Sequence, residues 1–221
     1  MSVQLEKDGF YDVIFVIVNI GKASKVLTEA KKKGITGGTI FSASGTVSSN
    51  LLRTIGFQEV KKEILFMVSS RENTLPAIEH ISTLFEFEQP NRGILFSTPV
   101  AHLLGTHGEL LILDVQAAPS VSRHECFLTV APAGSSDAVV AAASSAGSRG
   151  GTFFHGQGVL TDPLQILFGI GLDTGQDIIM NLVASSVAGA VEAAIVECLQ
   201  LDEPGNGILF SFDAENVRGI R

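Results

Sequence analysis

Tryptophan is absent from this chain of 221 residues, which contains one tyrosine, two cysteines and seven prolines. Two cysteines, Cys126 and Cys198, do not make the disulfide framework of a small secreted domain, and they suit a reducing compartment. No apolar run reaches the roughly 18–20 residues that a membrane-spanning helix needs. The opening residues, MSVQLEKDGF, lack the apolar segment of a secretory signal. We therefore expect a cytoplasmic protein.

Positive charge is scarce in the second half of the chain. Residues 1–118 contain 11 basic and 12 acidic side chains, a net charge of −1, whereas residues 119–221 contain 4 and 11, a net charge of −7. An acidic surface repels the phosphate backbone of DNA and RNA, so nucleic acid is not expected as a partner. With 45% hydrophobic and only 17% charged residues, the chain must bury a large core or a subunit interface.

An internal repeat with a spacing of about 113 residues is the strongest pattern in the sequence. Three segments recur in the same order: GGTIF at 37–41 returns as GGTFF at 150–154, ILFMV at 64–68 corresponds to IIMNL at 178–182, and GILFS at 93–97 returns unchanged at 207–211. Gly45 and Gly158 follow the first segment of each half at the same distance. Matched segments in a conserved order indicate a duplication.

Each half also predicts the same order of elements, β-α-β-β-α-β, which is the ferredoxin-like split unit. The predicted first helices are 23–33 and 136–145, and the predicted last strands are 94–97 and 208–212. Gly34 and Gly147 follow these two helices, as glycines commonly do at helix ends. We therefore expect an α+β fold of two tandem ferredoxin-like domains with antiparallel sheets. The expected boundaries are residues 1–105 for the first domain, 106–124 for a linker and 125–221 for the second domain.

The predicted strands are apolar on both faces, whereas the helices of such a unit cover only one. A strand that is apolar on both sides requires cover on both sides. The duplicated domains, or identical subunits, should therefore pack sheet against sheet. We expect a homo-oligomer, and a trimer of tandem chains ahead of a dimer.

The Gly-Gly-Thr segment before the second strand and the glycine turn before the last strand resemble the PII signal-transduction family (nitrogen regulatory protein P-II). The resemblance is to its divergent PII-like branch, and it covers nearly the whole chain, twice. It implies ferredoxin-like domains, trimers, and effector clefts lined by the T-loop base, the B-loop and the C-terminal tail. It also implies a regulated partner protein, often a membrane transporter in this family.

The resemblance implies ligand-binding residues in both halves. We expect the better-formed cleft in the second half, because its turn keeps both B-loop glycines, a histidine follows its Gly-Gly-Thr, and two arginines lie near its end. The predicted residues of that cleft are Gly151, Thr152, His155, Gly158, Gly205, Asn206, Gly207, Arg218 and Arg221. The first half serves as a scaffold or offers an altered site with Gly38, Thr39, Gly45, Arg92 and Gly93.

The match to the nucleotide-binding members is partial. Thr39 and Thr152 match the threonine that contacts adenine in those members. The lysine that follows their last B-loop glycine is replaced here by Ile94 and Ile208. Little cationic charge is left to balance a triphosphate, so a less charged ligand is expected.

No arrangement of residues typical of catalysis is present in the sequence. Serine lacks a Gly-x-Ser-x-Gly elbow, and neither cysteine has a histidine at a recognisable spacing. His102, His107 and Glu109 would suit zinc or nickel, but we favour a solvated linker as their explanation. We expect no enzyme and no cofactor, but a regulatory protein that binds a small anionic or nucleotide-like effector. The alternatives are a metal-binding PII relative of the copper-tolerance (CutA) or nickel-responsive type, and an enzyme of ferredoxin-like fold.

Overall fold

The computed structural model describes residues 11–46, 59–100, 123–157, 175–203 and 206–220. The first half comprises β1 (Tyr11–Asn19), α1 (Ala23–Lys31), β2 (Thr39–Thr46), β3 (Glu59–Ser70), α2 (Arg71–Leu84) and β4 (Ile94–Pro99). The second half comprises β5 (His124–Pro132), α3 (Ser136–Ser145), β6 (Thr152–Gln157), β7 (Gly175–Ala184), α4 (Ser185–Leu199) and β8 (Ile208–Arg218). None of the helices in these ranges has the length and apolarity to cross a membrane.

The strands of the two halves have the same neighbours. The hydrogen-bonded order is β2-β3-β1-β4 in the first half and β6-β7-β5-β8 in the second. The pairs β1–β4, β5–β7, β5–β8 and β6–β7 are antiparallel. An α+β fold with antiparallel strand pairing is therefore confirmed.

The chain divides into two compact units that differ from its two halves. Unit 1 comprises Met1–Phe41, Glu63–Val121 and Glu215–Arg221, and unit 2 comprises Ser42–Lys62 and Ser122–Ala214. Strands β2, β3 and β8 consequently contribute residues to both units. Of the predicted linker at 106–124, only Arg123 and His124 are described. The boundaries predicted at 105 and 124 therefore stay a prediction.

Unit 1 packs its two helices against one face of its strands. The core consists of alternate residues of β1 and β3 together with the inner faces of α1 and α2, and it includes Ile14, Val16, Leu65, Met67, Val26, Ile78 and Ile81. The opposite face carries phenylalanine rings in a row, one from each strand: Phe96, Phe15, Phe66 and Phe41. Their ring centroids lie 5.0, 6.4 and 5.5 Å apart in that order. Both faces of this sheet are thus apolar, as the sequence predicts.

Unit 2 has a similar core with two polar substitutions. Its apolar part includes Phe127, Val139, Phe153, Ile179, Val191 and Ile195. Thr129 and Asn181 are fully buried at the positions that Val16 and Met67 occupy in the repeat. The Nδ2 atom of Asn181 donates a hydrogen bond to the carbonyl oxygen of Gly150 at 3.1 Å. This bond ties β7 to the residues that precede β6.

Strand β8 is longer than the sequence predicts. The expected strand ended at residue 212, whereas the observed strand continues to Arg218. Its last residues pair with β4 in unit 1, where Leu95 lies opposite Arg218 and Ser97 opposite Glu215. The register shifts between these two pairs, and Asn216 has a φ of 52°, as in a β-bulge. The end of the chain is therefore a strand of unit 1.

Candidate functional site

The turns before β4 and β8 require glycine because they pack closely against the neighbouring strand. Gly207 has a φ of 128°, and a Cβ atom placed on it would overlap the carbonyl oxygen of Val130. Gly93 has a φ of 140°, and its Cβ would overlap the carbonyl oxygen of Ile17 in the same way. Both turns need glycine for the fold itself, whatever binds beside them.

The predicted B-loop of the second half is described only in part. Gly205 lies outside the described residues. Asn206 donates from Nδ2 to the carbonyl oxygen of Gln200 at 3.0 Å, so its side chain holds the turn against the end of α4. The structure therefore gives Asn206 a local structural contact.

The second glycine of each Gly-Gly-Thr segment is also closely packed. A Cβ on Gly38 would lie 2.8 Å from Leu65 Cδ1, and one on Gly151 would lie 2.9 Å from Asn181 Nδ2. Thr39 is exposed, whereas Thr152 is buried with only 6% of its surface accessible. Of the two predicted threonines, only Thr39 presents its side chain to solvent.

Strand pairing brings two predicted site residues together in unit 2. Gly45 of β2 lies opposite Thr152 of β6. A Cβ on Gly45 would lie 3.1 Å from Cγ and Cε of Lys62, so the glycine makes room for the lysine stem. Burial lowers the pKa of Lys62. Gly158 lies outside the described residues.

Arg218 lies beside the first-half turn. It pairs in register with Leu95, and a Cβ on the following Gly219 would overlap the carbonyl oxygen of Gly93. Gly207 and Arg218 are both predicted for the cleft of the second half, but Gly207 falls in unit 2 and Arg218 in unit 1. Arg221 is not among the described residues. Arg218 therefore lies in the same unit as Arg92 and Gly93, two of the residues predicted for the first half.

Two exposed glutamates form ion pairs with Arg92 and Arg218 beside the turn at Gly93. Nη2 of Arg92 lies 2.7 Å from Oε2 of Glu86, and both side chains are more than half exposed. Nε of Arg218 lies 3.8 Å from Oε1 of Glu88. We name Glu86, Glu88, Arg92, Gly93 and Arg218 the turn-and-tail cluster. Exposed ion pairs of this kind contribute about 0–1 kcal/mol, so an approaching anion meets little competition for the guanidinium groups.

A buried carboxylate accepts hydrogen bonds from the backbone at the start of α3, the first helix of the second half. Oδ2 of Asp177, on β7, accepts hydrogen bonds from the backbone N–H groups of Gly134 and Ser136, each at 3.0 Å. At the matched position of the first half, Oε2 of Glu63 accepts the N–H of Ala23 at 2.9 Å. Neither carboxylate is among the residues predicted from the sequence, although they stand at equivalent places in the repeat, directly before Ile64 and Ile178.

His155 is paired with the same buried carboxylate. Its Nδ1 lies 2.7 Å from Oδ1 of Asp177, whose side chain is fully buried while the histidine side chain is 73% exposed. Burial raises the pKa of Asp177, but hydrogen bonds from Ser136, His155 and Gly134 outweigh burial and hold the pKa below its ordinary value. Asp177 is therefore an anion at neutral pH, with an exposed imidazole on one of its oxygens.

A surface pocket of about 340 Å³ lies elsewhere in unit 1 and contains no predicted ligand residue. It is lined by Lys25, Thr28, Glu29, Leu84 and Phe85. Glu29 accepts hydrogen bonds from Lys32 and His80, and these lower its pKa. Within the described ranges, no three His, Cys, Asp or Glu side chains converge as metal ligands. The candidate metal ligands His102, His107 and Glu109 lie outside those ranges.

The sequence matches no family profile and no curated protein. Solved structures similar to the chain include PII from Arabidopsis thaliana bound to citrate, at 19% identity and a TM-score of 0.32, covering 42% of this chain and 77% of that one. They also include a complex of B. subtilis GlnK with ATP, at 12% identity and a TM-score of 0.31, covering 43% and 85%. A microcompartments protein from Desulfitobacterium hafniense DCB is similar over 93% of this chain and 96% of its own, at 11% identity and a TM-score of 0.28. PII proteins are among the solved structures that this chain is similar to.

Proposed function

We propose that this chain is a PII-like regulatory protein that binds a small anionic effector at the turn-and-tail cluster. The observation that carries the proposal is the packing of Arg218 and Gly219 on the turn at Gly93. This packing brings arginines from two distant parts of the sequence, Arg92 and Arg218, beside one glycine turn. An effector held there would contact both the turn before β4 and the end of β8.

The chemistry of the cluster favours a ligand with few negative charges. Guanidinium groups present paired N–H donors that match carboxylates and phosphates. The two arginines already face Glu86 and Glu88. A carboxylate or a phosphate monoester needs to displace only one or two exposed glutamates. Ile94, which follows the glycine, adds no cation for a triphosphate.

In this proposal the two halves are tandem ferredoxin-like domains, and the chain acts in the cytoplasm by binding rather than by catalysis. Effector binding changes how the end of β8 lies on the turn, and a partner protein, such as a membrane transporter, senses that change. The chain forms an oligomer, with a trimer preferred to a dimer. Light scattering tests the last point, since a mass of 23.3 kDa would be that of the single chain.

A thermal-shift screen of the full chain tests effector binding. The probes are citrate, 2-oxoglutarate, bicarbonate, adenine nucleotides and cyclic dinucleotides. A ligand present at about 100 times its Kd stabilises the native state by about 2.7 kcal/mol and raises the unfolding midpoint. Arg92→Gln and Arg218→Gln should each reduce the rise, and together they should abolish it.

The control variant is Arg149→Gln, which removes an exposed arginine of unit 2. It should leave the midpoint shift unchanged. A ligand that stabilises the double arginine variant as much as the wild type binds elsewhere, and the proposal then fails. Equilibrium dialysis against zinc, nickel and copper tests the metal-binding alternative, because the proposal expects no stoichiometric metal.

A further inference from the structure

Asp177 can cap the start of α3 without the hydrogen bond from His155. The carboxylate already accepts hydrogen bonds from the N–H groups of Gly134 and Ser136, and the Ser136 hydroxyl adds a third donor. In the first half, Glu63 accepts the N–H of Ala23 in the matched place. The sequence there has Ser42 in place of the histidine. His155 is therefore an addition of the second half that helix capping does not explain.

The tautomer of the His155 imidazole follows from its hydrogen-bond partner. Because Asp177 is ionised, its oxygens only accept hydrogen bonds. His155 must then donate from Nδ1 across the 2.7 Å contact. Its neutral form consequently carries the lone pair on Nε2. With the side chain 73% exposed and Nδ1 engaged by Asp177, Nε2 is the nitrogen that remains to react at the surface.

We propose that His155 is a phosphoryl-acceptor site, whose Nε2 takes a phosphoryl group from a phosphoramidate or an acyl phosphate. The Nε2 lone pair forms the new N–P bond, the bond between phosphorus and the leaving group breaks, and the leaving group departs with that electron pair. No proton has to leave the ring during the attack. The positive charge that develops on the imidazole is balanced by Asp177, which keeps the Nδ1 proton in place. Histidine is one of the side chains that act as nucleophiles and form covalent intermediates.

The site would work as a switch at the end of the β6–β7 pair. His155 and Asp177 lie directly opposite each other in the register of these strands. A phosphoryl group on Nε2 adds up to about two negative charges there. The same carboxylate holds the first residues of α3 through Gly134 and Ser136. Modification of the ring therefore acts on a contact that joins two strands to a helix start.

Treatment of the full chain with potassium phosphoramidate tests the proposal. Mass spectrometry and phosphorus NMR should find one phosphoryl group on Nε2 of His155 and none at that position in His155→Gln. The internal control is His80, whose Nε2 already lies 3.1 Å from Glu29 and whose side chain is 30% exposed. His80 should react at least about tenfold more slowly, because the atom that would attack is engaged.

Asp177→Asn tests the positioning role of the carboxylate. The rate at His155 should fall about tenfold, a loss of the size seen when a metal-ligating histidine loses the carboxylate that orients it. Nitrogen NMR should show the Nδ1–H tautomer in the wild type and lose it in the variant. If Asp177→Asn fails to fold, the ring-nitrogen shifts of the wild type decide instead. Phosphorylation on Nδ1, an equal rate at His80, or no product at His155 would each overturn the proposal.

Discussion

Gly207 and Gly93 show how a residue at a predicted ligand site can be required by the fold. Both have positive φ values, and both turns press against a backbone carbonyl of the adjacent strand. Gly207→Val and Gly93→Val should therefore each lower the free energy of unfolding by about 2–4 kcal/mol, from backbone strain and overpacking together. Urea unfolding measures this change without any ligand. Gly37→Ala is the control, because no atom lies within 4 Å of the added Cβ.

If Gly207→Val left the free energy of unfolding unchanged, the turn would tolerate a side chain. The conclusion that packing requires glycine there would then be wrong. Valine at either turn also cannot separate ligand binding from folding. The arginine variants of the turn-and-tail cluster are suited to that purpose, because Arg92 and Arg218 keep their side chains at the surface.

Asp177 gives a pH dependence with a definite sign. Its pKa is lowered in the folded chain, so its contribution to stability is present above the ordinary pKa of aspartate and is lost as the pH falls through the folded pKa. Asp177→Asn should cost about 1 kcal/mol at neutral pH, as the loss of a helix cap does, and it should flatten the acid limb of the stability curve. Urea unfolding at a series of pH values measures both effects. Asp202→Asn, at an exposed position, should leave the acid limb as it is in the wild type.

At the scale of helices and strands, the sequence predicts the ends of an element well when local interactions determine those ends. Helix α3 was predicted at 136–145 and is observed at Ser136–Ser145, because a glycine with positive φ, Gly147, follows it. Strand β8 was predicted to end at residue 212, because the polar residues after it do not read as a strand. Pairing with β4 extends it to Arg218, and that pairing joins residues more than a hundred positions apart.

The candidate site was predicted to a smaller extent for the same reason. Arg92, Gly93 and Arg218 were each identified from the sequence, but their common location depends on where β8 ends. Asp177 was missed because the residues it holds, Gly134 and Ser136, lie on another element. The repeat offered an indirect indication, since it places a carboxylate at the same point in both halves.

Helix α4 contains an exposed glycine that its packing does not require. A Cβ on Gly189 would meet no atom within 4 Å. Gly189→Ala should therefore raise the free energy of unfolding by about 1 kcal/mol, because alanine is the better helix former. Gly147→Ala, at the end of α3 with a φ of 108°, should destabilise the chain instead. Thermal unfolding followed by circular dichroism distinguishes the two signs, and stabilisation by both variants would contradict the assigned conformations.

On the scale of the whole molecule, the two units take residues from both halves of the sequence. Unit 1 includes Glu215–Arg221, and unit 2 includes Ser42–Lys62. Separate fragments covering residues 1–105 and 125–221 should therefore each lack part of a unit. When co-expressed, they should associate and regain the stability of the intact chain. Co-purification through a tag on one fragment measures this association.

A second-fragment variant that ends at residue 214 is the matched control, because it lacks the part of β8 that pairs with β4. It should bind the first fragment less tightly. Two fragments that fold separately and ignore each other would show that each half is self-sufficient.

The sharing of β2, β3 and β8 also bears on how the molecule melts. Each unit has its own hydrophobic core, and two independent cores ordinarily give two unfolding transitions. Here the loss of one core releases strand residues that continue directly into the other unit. Heating should therefore produce a single calorimetric transition, in which the calorimetric and van't Hoff enthalpies agree. In an interleaved chain of this kind, cooperativity is set by the strands that the units share rather than by the number of cores.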